Sequence, residues 1–101
     1  MKIVWTKRGL NRLQSAFDYI AENFYLDYAI QFDSDARNVA LMLPANPQLG
    51  RVAFPELDRP ELRKILCRHY NYWIYYRTQK NAIEILSVRH ALMDIKSPRN
   101  L

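Results

Sequence analysis

Leu62-Arg63-Lys64-Ile65-Leu66-Cys67-Arg68-His69-Tyr70-Asn71-Tyr72-Trp73-Ile74-Tyr75-Tyr76-Arg77-Thr78-Gln79-Lys80-Asn81-Ala82-Ile83-Glu84-Ile85-Leu86-Ser87-Val88 is the stretch on which the fold turns. Ile, Leu, Val, Tyr and Trp crowd into three runs, Leu62 to Arg68, Tyr72 to Thr78 and Ala82 to Val88, each of strand length. The polar turns His69 to Asn71 and Gln79 to Asn81 separate them. Connections so short join antiparallel neighbours, which predicts a meander. Apolar groups occupy both parities (Ile65 and Leu66, Ile74 and Tyr75, Ile85 and Leu86), so the strands are expected to be covered on both faces, and the faces stay unassigned.

Upstream the period changes. Lys2 to Trp5 is a short β-branched run that stops at Thr6, a good helix N-cap, with Trp5 and Leu10 spaced as a hydrophobic staple. Beyond it Leu10, Leu13, Phe17, Ile20 and Phe24 step by three and four, the stripe of a helix. Lys7 and Arg8 in its first turn oppose the macrodipole, a local cost that hints at another use for those charges. Asp27 is placed to cap a second helix, whose stripe Tyr28, Phe32, Ala36, Val39 and Leu43 runs to Pro44 and Pro47. Two such helices form an antiparallel hairpin. Pro44 to Pro60 holds four prolines and Gly50 and reads as a loop. The order β-α-α-β-β-β predicts one α+β domain over residues 1–101, an N-terminal helical hairpin packed on one side of an antiparallel sheet.

Half of the 101 residues are apolar and only 2 are Gly and 5 Pro, which fits one compact core without disulfides or a structural metal. Apolar runs such as Val39 to Leu43 fall far short of the ~20 residues of a membrane span. Met1 to Arg8 lacks the apolar core and cleavage site of a secretory signal, and Cys67 stands alone, so a cytoplasmic protein with no membrane partner is expected. The net charge of +5 is unevenly divided: residues 1 to 50 hold five basic and five acidic side chains, and residues 51 to 101 hold ten and five. A basic half of this kind attracts polyanions or an acidic protein.

No cofactor or metal is expected. Cys67, His69 and His90 lack a fourth ligand, and Gly9 and Gly50 lie too far apart to cradle a phosphate. Cys67, in mid-strand, reads as a buried inert thiol. Metal-free RNA cleavage needs a base, cations and an acid, and Arg63, Lys64, Arg68, Arg77, Arg89 and His90 all lie on or beside the strands. The same arginines can instead pair with Glu61, Glu84 or Asp94 and bind a partner. Tyr70, Tyr72, Trp73, Tyr75 and Tyr76 suit a core, an interface or base stacking. Residue types alone leave these readings open.

Several separate pieces agree over nearly the full length: Val4-Trp5-Thr6, Leu13, Tyr19-Ile20, Pro47-Gln48-Leu49-Gly50-Arg51, Leu62-Arg63, Tyr72-Trp73-Ile74-Tyr75-Tyr76-Arg77 and Ile83-Glu84-Ile85-Leu86-Ser87-Val88-Arg89-His90. In their order and spacing the chain resembles the RelE/ParE superfamily of small bacterial toxins from type II toxin–antitoxin modules, often described as plasmid stabilisation proteins. The resemblance implies a toxin neutralised by an acidic antitoxin encoded alongside. In RelE-type ribosome-dependent nucleases the residue after the tyrosine that opens the third strand is a catalytic arginine, and here it is Trp73. A second basic position falls on Ala91 or Leu92, Leu66 replaces a second lysine, and no tyrosine follows Tyr76. Lys64 is the one catalytic-type cation retained.

His90-Ala91-Leu92-Met93-Asp94 is similar to the His-x-x-Met-Asp ending of some members of the ParE branch, whose toxins bind DNA gyrase and trap its cleaved-DNA intermediate. The resemblance therefore implies a ParE-like toxin that arrests growth by binding gyrase, more a gyrase poison than an enzyme. Arg63, Trp73, Arg77, Arg89, His90, Met93 and Asp94 are its candidates for binding target or antitoxin. One alternative is a metal-independent endoribonuclease acting on mRNA at the ribosome through Lys64, Arg63, Arg77 and His90. Another is a degenerate toxin that only binds its antitoxin.

Overall fold

The computed structural model describes residues 1–101. Strand β1 (Lys2–Trp5) ends at Thr6, whose hydroxyl accepts from the N–H of Gly9 at 2.9 Å and caps helix α1 (Lys7–Asn23) as expected. The same hydroxyl donates to the Ile85 carbonyl at 2.9 Å and so ties the start of the helix to strand β5 (Ala82–His90). Helix α2 (Leu26–Leu41) corrects one expectation. Its N-cap is Tyr25, and Asp27 sits inside the first turn, where its charge complements the dipole. The rings of Phe24 and Tyr25 lie 5.8 and 5.5 Å from that of Tyr28, and this aromatic packing turns the chain two residues early.

The buried stripes differ from the expected ones in a consistent way. On α1 they are Gly9, Leu13, Ala16 and Ile20, while Leu10 and Phe24 are exposed. On α2 they are Ala29, Phe32, Ala36 and Ala40. Small residues mark the lines of closest approach. A Cβ on Gly9 would stand 2.4 Å from the Ile85 carbonyl oxygen, so only glycine lets α1 lie this close to the sheet.

Strands β2 (Arg51–Val52), β3 (Leu62–Cys67), β4 (Tyr72–Thr78) and β5 join β1 in one sheet of order β1-β5-β4-β3-β2. The meander β3-β4-β5 is antiparallel as expected. The sheet as a whole is mixed, because β1 runs parallel to β5 with Lys2 opposite Ala82 and Trp5 opposite Ile85. A strand with no hairpin partner carries nothing in its period that gives its direction. The loop Pro44–Pro60 also supplies the two-residue β2, with Arg51 opposite Lys64 and Val52 opposite Arg63. β3 stops at Cys67 because residues Arg68–Tyr70 wind into a 3₁₀ turn closed by Asn71 at φ 62°. β5 runs on to His90, two residues past Val88, because Trp73 and Tyr72 of β4 continue the ladder against Arg89 and His90.

The doubled parity of β5 has a local cause. Tyr75 faces Ser87 and Tyr76 faces Ile85, so Leu86 is the extra residue of a β-bulge and the parity of β5 switches there. Ile83 and Ile85 before it, and Val88 after it, all join the helix-side core with Phe32, Ile74 and Tyr76. The opposite face is covered by a second cluster of Ala53, Phe54, Leu62, Tyr75 and Leu101, with Trp73, Leu86 and Ile95 packed against it. Loop and C-terminal segment close that face. No helix is long and apolar enough to cross a membrane.

Candidate functional site

Pairing register separates the expected site residues. Trp73, opposite Leu66 and Arg89, lies on the face away from the helices. Lys64 places its Nζ 4.4 Å from the Trp73 ring centre and Arg51 places its guanidinium 4.9 Å away, two cations on one indole. A cavity of about 480 Å³ adjoins them, lined by Val39, Met42, Leu49, Gly50, Arg51, Lys64, Ile65, Leu66, Arg68 and Trp73. It contains three cations and no carboxylate, histidine or tyrosine. Burial, and then Arg51, push the Lys64 ammonium below its ordinary value.

Arg63 and Arg77 are engaged elsewhere. Arg63 donates to the Gly50 carbonyl at 2.7 Å. Arg77 meets Glu84 at 2.6 Å, one of the three pairings considered from sequence; Glu61 instead takes Arg59, and Asp94 takes Lys96. The Glu84 carboxyl is held below its usual range by Gln79 first and by Arg77 second.

His90 sits at the end of β5 on the helix side, its ring 5.0 Å from that of Tyr72, with Nδ1 accepting from the Leu92 N–H at 3.1 Å. It shares a cavity of about 410 Å³ with Arg12 and Tyr19 of α1, Arg89, Leu92 and Met93. Arg89, Met93 and Asp94 border a second, polar cavity beside it. The structure thus brings Arg89, His90, Met93 and Asp94 together at the end of β5, in cavities that Lys64, Trp73 and Arg77 do not line, although Arg89 is the ladder partner of Trp73. Lys64, Arg63, Arg77 and His90 do not converge on one pocket. Cys67 is buried, and burial first, then Asp35, push its thiol up to about 11.

Residues 3–95 match the family described as ParE toxin of type II toxin-antitoxin system, parDE. The chain belongs to the ParE toxin family. Its fold is similar to that of a solved chain described as the chromosomal ParDE TA system from P. aeruginosa, with TM-score 0.74 and 20% identity over 89% of this chain and 95% of that one. No curated protein sequence matches it.

Four further cations of this ParE-family chain line the same cavities without standing among the sequence candidates: Arg8, Arg12, Arg51 and Arg99. Only Arg8 carried a signal, as a cation in the first turn of a helix that has no acidic residue there.

Proposed function

We propose that this toxin acts in the cytoplasm by binding DNA gyrase, and that an acidic antitoxin encoded alongside holds it inactive. The observation that supports a binding mode is the Trp73 cavity, where phosphoryl transfer would need an acid and a base and the lining offers only Arg51, Lys64 and Arg68. A tryptophan clamped by two cations can form contacts but moves no proton. Arg89, His90, Met93 and Asp94, gathered at the end of β5, are the proposed contact residues for target or antitoxin.

A nuclease reading draws support from one feature. A lysine with a depressed pKa beside Arg51 and Arg68 is the kind of group that could exchange a proton near a phosphate. Purified toxin added to gyrase decides between the two. Inhibited supercoiling with accumulation of cleaved DNA is the expected result, and prompt cleavage of ribosome-bound mRNA, mapped by primer extension after induction, would transfer the assignment to the nuclease. Neither effect, with antitoxin binding retained, would mark a degenerate toxin.

A further inference from the structure

An open cavity of about 530 Å³ lies between α1, the end of β5 and the C-terminal segment, and four of its eight lining residues are arginines: Arg8, Arg12, Arg89 and Arg99. None of the four pairs with an Asp or Glu side chain, and Asp94, the one side-chain carboxylate in the lining, lies 3.4 Å from Lys96 instead. Arg12 is anchored by donation from Nε to the main-chain oxygen of Leu101 at 2.9 Å. The Nε of Arg89 is buried with no acceptor, a donor left unspent. Four like charges gathered beside one carboxylate repel one another, and a cluster with excess charge lowers stability unless an anion completes it.

The charge continues along the helix. A neighbouring cavity of about 500 Å³ is lined by Lys7, Arg8, Asn11, Arg12 and Ser15, with no apolar residue, and the first turn of α1 holds no acid. Lys7 to Ser15 spans roughly 12 Å of helix at the ~1.5 Å rise per residue, so the strip presents cations in succession and not as one point.

We propose that this strip binds the sugar–phosphate backbone of duplex DNA. Guanidinium forks match phosphate oxygens two at a time, and repeated phosphates are the partner that repeated, unpaired arginines fit. An acidic peptide would seek apolar anchors, which belong to the adjoining His90 cavity; along the strip only Met93 and Ile95 are apolar in the first cavity and none is in the second. Single-stranded nucleic acid is gripped by stacking, and no aromatic residue lines either cavity. The proposal does not depend on the gyrase reading, because it needs only the toxin and DNA.

Fluorescence anisotropy of the purified chain with a short labelled duplex tests it. Binding should weaken with salt at a slope of ~0.9 per phosphate contacted. Arg8→Gln with Arg99→Gln should lose roughly tenfold in affinity and about one unit of slope per arginine removed. Arg59→Gln with Lys80→Gln removes equal charge away from the strip and should leave affinity within about twofold. The side chains of Arg8 and Arg99 pair with no Asp or Glu and sit among like charges, so the double variant should melt no lower than the wild type. If it does not fold, Arg8→Gln alone carries the same comparison. Absence of duplex binding, equal losses in both double variants, tighter binding of single-stranded RNA than of duplex, or an acidic peptide alone showing the arginine dependence would each overturn the proposal.

Discussion

The hydroxyl of Tyr76 secures the entry to β2. It donates to the Pro47 carbonyl at 2.7 Å and accepts from the Gly50 N–H at 3.0 Å, satisfying two main-chain groups of a loop that has little regular structure. Gly50 is required here by close approach and not by a special torsion angle. A Cβ would stand 2.5 Å from the Lys64 carbonyl oxygen and 2.8 Å from the Tyr76 hydroxyl. Tyr76→Phe should therefore cost about 1–3 kcal/mol in urea denaturation, the penalty of leaving buried partners unpaired. A change within error would show that the loop is held by packing alone. Tyr76 and Gly50 lie 26 residues apart, and nothing local in the sequence connects them.

At the scale of elements, the C-terminal segment combines exposed side chains with core anchors. Met93 is half-exposed and Asp94 only meets Lys96 on the surface. Leu101 is buried against Tyr75, and its main-chain oxygen accepts from Arg12 and from the buried Ser87 hydroxyl. A truncation that removes everything after Met93 would therefore confound binding with folding. Point changes separate the two. Leu101→Ala should destabilise by about 2–5 kcal/mol, while Met93→Ala and Asp94→Ala should stay within about 0.5 kcal/mol of wild type. Toxicity lost in Met93→Ala with an unchanged melting temperature identifies a binding residue. Toxicity lost only in step with stability identifies a structural latch.

On the scale of the whole molecule, the even charge of the first half proves misleading, because Arg8 and Arg12 of that half stand beside Arg89 and Arg99 of the other. Tyr19, Phe24, Tyr25, Leu26, Ile30 and Leu41 are meanwhile exposed on the helical hairpin. An antitoxin that covers this hairpin and reaches the exposed Arg51 and Arg68 beside its end buries apolar area and pairs charges together. High salt should thus weaken the antitoxin complex without dissolving it, measured by titration calorimetry across a salt series. Complete dissociation at moderate salt would remove the apolar contribution. The sequence by itself determined the β-α-α-β-β-β order, the Thr6 cap, the two short turns and the family likeness, because caps, periods and turns depend on near neighbours in the chain. Only the tertiary structure decided that β1 runs parallel to β5, that Leu86 bulges and switches the parity of its strand, that small residues form the helix contacts, and that arginines from opposite ends of the chain share one cavity. Each of those outcomes depends on which distant segments close upon one another, and no local pattern of side chains encodes that closure.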